Sequence, residues 1–214
     1  MVCSYFGPVS DHFTEVVRFL NLDPVLLELA IKDLPEGPYL SRLTLSEQSM
    51  PLKRIKRSLS HQRQSYHLLA IEPKTPATAA FAARDNRVDI VRINPRLGLT
   101  TFNARYAKRL VENDKIIEFD LSFFFNKYFA HDLRPVMRIL ETFHPDHIPV
   151  LLTNLPHKVE HLRSYKGLQS LGRLLGITNK QSHPKHILQR VDRNIKKIKG
   201  DIPFPGVEVH GRQE

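Results

Sequence analysis

The chain lacks features that define several classes of protein. It has no tryptophan and a single cysteine, Cys3, among 214 residues, which excludes an internal disulfide framework and a cysteine-rich zinc module. No apolar run reaches the roughly 18 residues that a membrane span needs. The first residues have neither the basic start nor the apolar core of a signal peptide. We therefore expect a cytoplasmic protein without a membrane partner.

Common catalytic signatures are also missing. The sequence contains no G-x-G-x-x-G, no P-loop and no G-x-S-x-G elbow. The run from His157 to His161 reads H-x-x-E-H, the inverted zinc-protease pattern. Its third ligand would have to be Glu208 or Glu214, and the cationic Lys158 opposes a metal dication. We therefore predict neither a catalytic residue nor a metal ligand in this chain.

Acidic residues are scarce in two blocks of the chain, residues 51–100 and residues 151–214. There are 32 Lys and Arg against 22 Asp and Glu, a net charge of +10. Residues 1–50 carry −4 and residues 101–150 are balanced, whereas 51–100 and 151–214 carry +7 each. A surplus confined to two blocks favours a polyanionic partner, because Lys and Arg that neutralise phosphates release condensed counterions.

Short apolar runs alternate with helical spacing along the chain. Strands are predicted over 2–6, 39–45, 66–72, 88–94, 116–121 and 149–153. Helices are predicted from Asp23-Pro24, from Leu52, from Thr75-Pro76, and over 101–113, 132–143, 168–175 and 184–199. This order predicts a parallel α/β sheet in one domain over 1–200, and both an open doubly wound sheet and a closed barrel fit it. Residues 201–214, rich in Pro and Gly, are expected to form a flexible tail.

Candidate functional residues follow from the ends of these strands and from the basic helices. Glu72 and Asp120 end strands, where a metal-dependent hydrolase would place its ligands, but no histidine ends one. Clustered cations at strand ends and on two helices are predicted to bind nucleic acid. They are Lys53, Arg54, Lys56, Arg57, Arg92, Arg96, Lys158, Arg163, Arg190, Arg193, Lys196 and Lys197. The run Phe123, Phe124 and Phe125 is expected either in the core or against a partner subunit.

Three stretches carry a resemblance to a known family. They are IEPKTPATAAFAARDNRVDIVRINPR (71–96), IIEFDLS (116–122) and VLLTNLPHKVEHLRSYKGLQSLGRLLGI (150–177). Together they resemble RNase P protein component 3, the thirty-kilodalton protein subunit of archaeal and eukaryotic ribonuclease P. Lys158 and Arg163 fall on basic positions of the family's last stretch. Ser122 and Phe123 stand where the family often has Arg.

The resemblance implies both a fold and a function. The fold would be a TIM-barrel-like (β/α) barrel related to the polymerase and histidinol phosphatase superfamily, without its metal site. The function would be that of an RNA-binding scaffold in 5′ maturation of precursor tRNA, with catalysis and its magnesium held by the RNase P RNA. Its partners would be that RNA, precursor tRNA and other protein subunits, especially a small α/β-sandwich subunit. The alternative is a metal-dependent phosphoesterase on the same barrel.

Overall fold

The computed structural model describes residues 3–5, 7–20, 22, 24–93, 102–121, 129–143, 148–154, 162–178 and 182–200. Seven strands lie within them: β1 (Cys3–Tyr5), β2 (Val25–Leu27), β3 (Tyr39–Ser46), β4 (Leu68–Glu72), β5 (Ile90–Ile93), β6 (Ile116–Asp120) and β7 (Val150–Thr153). The helices are α1 (Asp11–Phe19), α2 (Leu52–Gln62), α3 (Pro76–Arg84), α4 (Ala104–Glu112), α5 (Phe129–Phe143), α6 (Tyr165–Leu174) and α7 (Lys185–Lys199), with a 3₁₀ turn at Ile31–Asp33.

The strands form a single parallel sheet in chain order, from β1 to β7. Cα atoms of β1 and β7 approach within 8 Å, so the sheet curls into a barrel-like shape. Leu162, which follows β7, packs in one cluster with Tyr5 of β1 and Phe13 of α1. The predicted single-domain, TIM-barrel-like α/β fold is confirmed, whereas its relation to the phosphatase superfamily stays a prediction.

Helices α2 to α6 cover the outer face of the sheet. Because side chains alternate along a strand, Leu69 and Ile71 of β4 face these helices while Leu68 and Ala70 face the barrel interior. Helices α1, α3, α4 and α6 each begin at a residue whose side chain caps the helix. Thr75 caps α3 by accepting a hydrogen bond from the backbone N–H of Thr78, and Pro76 occupies its first turn.

The predicted helix beginning at Asp23-Pro24 is wrong. Residues Val25–Leu27 form strand β2, which pairs with β1 and β3, and only the short 3₁₀ turn follows. All three strand residues are buried, Leu26 toward the interior and Val25 and Leu27 toward α1. A strand covered on both faces lacks the alternation that distinguishes it from a buried helix. Helix α1, capped by Ser10, was not predicted.

Candidate nucleic-acid interface

The barrel interior is divided into an apolar lower half and a polar upper half. At the amino ends of the strands, Leu26, Leu68, Ile90, Ile116 and Leu151 form one cluster. Ile187 and Val191 of α7 belong to the same cluster, so α7 closes this end of the barrel. Toward the carboxyl ends, where barrel enzymes place their reactive groups, the interior is filled with charged and hydroxyl side chains.

The centre of the polar half is an ion pair between β3 and β6. Arg42 donates from Nη1 to Oε1 of Glu118 at 2.7 Å, and its Nη2 donates to the other carboxylate oxygen. Thr153 of β7 donates to the same carboxylate at 3.0 Å. Burial alone would raise the pKa of Glu118, but Arg42 holds it below its usual range, and Glu118 raises the pKa of Arg42. This guanidinium in the interior repels a dication.

The strand-end carboxylates that the sequence singled out lie in the same region. Asp120 is an ion-pair partner of Arg92, with Oδ2 3.7 Å from Nη2. Glu72 is buried at the end of β4. Within the described ranges, no group of three His, Cys, Asp or Glu side chains is arranged to hold a metal ion. Because Arg92 pairs with Asp120, this predicted RNA-contact residue is directed toward the polar interior rather than the outer surface.

Helix α7 uses its first arginine to hold the closed end of the barrel together. Arg190 is 8% exposed, its Nη2 is 2.8 Å from Oδ2 of Asp114, and its Nη1 is 3.7 Å from Oδ1 of Asp89. Asn194 donates to the same carboxylate of Asp89 at 3.0 Å. Arg63, at the end of α2, donates to its other oxygen at 2.6 Å. These contacts give Arg190 a structural role, which the charge pattern alone did not reveal.

The other predicted cations of α7 are closer to solvent and have acidic neighbours. Arg193 donates to Asp114 at 2.7 Å, and Lys196 lies 3.7 Å from Asp192. Partial burial and the nearby Arg190 hold the pKa of Lys197 below its usual range. Lys196 and Lys197 lie in the last turn, where the negative end of the helix dipole favours a cation. Acidic neighbours therefore account for Arg193 and Lys196, whereas the surroundings of Lys197 disfavour its charge.

Helix α2 presents a different arrangement. Lys53, Arg54, Lys56 and Arg57 are all exposed, and the helix contains no acidic residue. Lys56 places its ammonium 5.0 Å from the centre of the Phe81 ring of α3. Among the described residues, Lys53, Arg54 and Arg57 form no ion pair. The buried side of the helix is held by Ile55 and Leu59.

The charge on α2 opposes the stability of the helix. Lys53 and Arg54 lie in its first turn, where the macrodipole is positive and each cation costs about 0.3–1 kcal/mol at low salt. Lys53 is also three and four residues from Lys56 and Arg57, a spacing at which like charges repel by about 0.2–0.5 kcal/mol. Pro51 at the cap position supplies no side-chain hydrogen bond. Intramolecular electrostatics therefore does not account for the charge on α2.

Some predicted residues lie elsewhere. Arg163 is half-buried after β7 and donates to the backbone oxygen of Leu162 at 2.9 Å. Arg96 and Lys158 lie outside the described residues, as do the H-x-x-E-H run and the phenylalanines 123–125. The predicted meeting of Arg96, Lys158 and Arg163 at one rim therefore stays a prediction.

Sequence reasoning missed the buried charges Arg42, Asp89, Lys115 and Glu118. Two of them carried a signal, because Arg42 and Glu118 are charged residues in the middle of predicted strands, among apolar residues that pack in the core. Asp89 and Lys115 stand just before β5 and β6. Asp89 was included in the predicted strand 88–94, and Lys115 directly precedes the predicted strand 116–121, so neither position indicated a buried charge.

A family model described as RNase P subunit p30 matches residues 17–197. The chain belongs to the RNase P subunit p30 family. It is thus a protein subunit of ribonuclease P, as the resemblance implied, and the phosphoesterase alternative has no support in the match. The family model covers the chain from the end of α1 through most of α7, including both basic helices.

The fold of this p30-family chain is shared with a solved structure. A chain in the "cryo-EM structure of archaeal Ribonuclease P with mature tRNA" matches with a TM-score of 0.68. The match covers 99% of each chain at 12% sequence identity, which shows a common fold. No curated protein matches significantly by sequence.

The length and polarity of the helices bear on membrane insertion. Within the described ranges, every helix is too short or too polar to cross a membrane.

Proposed function

We propose that this ribonuclease P subunit is an RNA-binding scaffold whose main phosphate-binding surface is the cationic face of α2. This face consists of Lys53, Arg54, Lys56 and Arg57. The observation that carries the proposal is their position near the amino end of a helix without acidic residues, where they destabilise the helix. A bound polyanion removes that cost, because its phosphates neutralise the cations and are attracted by the helix dipole.

The chemistry of this face favours contacts to the RNA backbone rather than reading of sequence. Arginine forms bidentate hydrogen bonds with phosphate oxygens, whereas lysine acts as a point charge. Such contacts position a subunit and screen repulsion between neighbouring RNA segments. In this proposal the RNase P RNA carries out the cleavage of precursor tRNA with its own magnesium, and the protein supports the active RNA fold.

Further partners belong to the same proposal. The solved relative comes from a ribonuclease P containing mature tRNA, which supports precursor tRNA and the RNase P RNA as the nucleic-acid partners here. Other protein subunits, especially a small α/β-sandwich protein, are expected from the family resemblance. The phenylalanines 123–125 remain a candidate partner contact.

The proposal is tested by reconstituted cleavage of precursor tRNA. The RNase P RNA and the remaining subunits are assembled with the full-length chain, without it, or with a variant in which Lys53, Arg54, Lys56 and Arg57 are all Gln. We expect the intact chain to stimulate cleavage and the variant to lose most of that stimulation as salt is raised. Each lost phosphate contact lowers the slope of log affinity against log salt by about one unit.

A matched control removes charge elsewhere. Lys166 and Arg173 of α6, with Arg134 and Arg138 of α5, are four exposed cations on the outer helices. Replacing these four with Gln lowers the net charge equally and should leave the stimulation largely intact. Equal loss in both variants would mean that net charge alone drives association, and the assignment to α2 would be rejected.

A further inference from the structure

The two sides of α2 differ in what surrounds them. On the side toward α3, Lys56 lies over the Phe81 ring, and Ser60 accepts a hydrogen bond from Arg87, which is itself paired with Asp85. That side is occupied by contacts within the protein. On the opposite side an open groove runs along the helix and the turn that precedes it. This α2 groove is lined by Ser49, Met50, Arg54, Arg57, Ser58, His61 and Gln62.

The lining of the α2 groove combines three kinds of group. Arg54 and Arg57 supply two guanidinium groups three residues apart on the helix, so they lie on neighbouring turns of one face. Met50, which packs partly against the core, supplies an apolar surface between the turn and the helix. Ser58, His61 and Gln62 add hydrogen-bonding groups farther along.

We infer that the α2 groove binds an unpaired, single-stranded segment of RNA. The inference rests on the proposed function and specifies the form of RNA that α2 accepts. Arg54 and Arg57 bind successive phosphates or stack on a base through their planar guanidinium groups. A splayed base covers Met50, while Ser58, His61 and Gln62 offer hydrogen-bonding groups to the nucleotides that follow along the helix.

Duplex RNA matches this groove poorly. An A-form helix presents phosphates and 2′-hydroxyl groups over a broad, shallow surface, and its bases are stacked inside. The apolar surface of Met50 gains nothing from such a partner, and base-edge donors and acceptors are already paired. An unpaired nucleotide uses both the cationic and the apolar part of the lining.

The test compares two RNA probes on the full-length chain. One is an oligouridylate of about ten nucleotides, and the other is a blunt duplex with the same number of phosphates. Fluorescence anisotropy at several salt concentrations measures both affinities. We expect the single strand to bind about tenfold more tightly than the duplex at equal salt.

Two pairs of variants localise the preference. Ser49→Tyr places a ring in the α2 groove, whereas Gln48→Tyr alters a neighbouring exposed residue outside the lining. Arg54→Gln with Arg57→Gln removes two charges from the groove side, whereas Arg134→Gln with Arg138→Gln removes two exposed charges from α5, outside the lining. We expect only the first member of each pair to abolish the preference for the single strand.

The outcomes separate this inference from the proposed function. The groove assignment is overturned if single strand and duplex bind equally, or if the two members of either pair of variants have equal effects. Salt-dependent binding in those cases still supports the scaffold role. Absence of salt-dependent binding to either probe overturns the proposed function itself. Circular dichroism of each variant confirms that a lost preference does not reflect unfolding.

Discussion

Arg42 and Glu118 lie 76 residues apart in the chain and form a bidentate ion pair inside the barrel. Their side chains are 1% and 0% exposed, respectively. Two charges removed from water cost several kcal/mol each, and they are tolerated because each satisfies the other. The pair thereby links β3 to β6 across the interior, at the level where other barrels accommodate substrates.

Breaking this pair on one side should be severe. Glu118→Gln leaves the buried guanidinium of Arg42 with Glu28, 3.4 Å from its Nε, as its remaining close counter-charge. We expect a loss of about 3 kcal/mol in the free energy of unfolding, at the lower end of the range for a broken buried pair. Urea denaturation followed by circular dichroism measures it. A double variant, Arg42→Met with Glu118→Met, replaces the pair by apolar groups and should be closer to the wild type than the single variant. A double variant as unstable as Glu118→Gln would contradict this account.

Lys115 makes stability depend on pH in the alkaline range. Its Nζ donates to the backbone oxygens of Val88 and Asp85 at 2.6 and 2.7 Å, and burial lowers its pKa from 10.5 to about 8. Between these two values the unfolded chain binds more protons than the folded one, so stability rises with pH. The full effect is about 3 kcal/mol.

The measurement uses the variant Lys115→Met as its reference. Unfolding free energies of both proteins are determined at intervals from about pH 7 to about pH 10.5. The difference between them should shift in favour of the wild type as pH rises through the folded-state pKa, because other titrating groups cancel. A difference that stays constant across this interval would show that Lys115 has no depressed pKa.

Elements with one clear signal could be predicted from the sequence. Six of the seven strands were anticipated, since β3 to β7 are runs rich in branched aliphatic residues between turn signals. The start of α3 was evident from Thr75 and Pro76. Strand β2 was mistaken for a helix because Asp23-Pro24 imitates a helix start and its three apolar residues have no alternation.

The candidate site was only partly predictable for a related reason. Charge composition singles out α2 and α7 equally, but it does not show which cations have acidic neighbours in space. Arg190 meets Asp114 and Asp89 through contacts of long sequence separation, which no local pattern encodes. The distinction between the two helices therefore depends on the tertiary structure.

Arg190→Ala should affect folding rather than RNA binding. It removes the buried guanidinium that bridges Asp114 and Asp89, and we expect a destabilisation of about 2–3 kcal/mol. Lys199→Ala, at the exposed end of the same helix, should change stability by no more than about 0.5 kcal/mol. RNA affinity per folded molecule should be unchanged by Arg190→Ala. A stable Arg190→Ala protein with weakened RNA binding would restore the original prediction that Arg190 contacts RNA.

Lys53→Glu should stabilise the protein while weakening its binding to RNA. An anion at this position is favoured by the helix dipole by about 0.3–1 kcal/mol, and it attracts Lys56 and Arg57 instead of repelling them. The reversed charge also repels phosphates, so RNA affinity and its salt dependence both fall. Thermal denaturation and anisotropy titration of the same preparation give the two values.

The control variant is Lys185→Glu, the same change in the first turn of α7. It should gain stability from the helix dipole but retain RNA affinity. If Lys53→Glu lowered stability, the cations of α2 would not destabilise their helix. If both variants bound RNA equally well, the charge of Lys53 would not contribute to RNA binding.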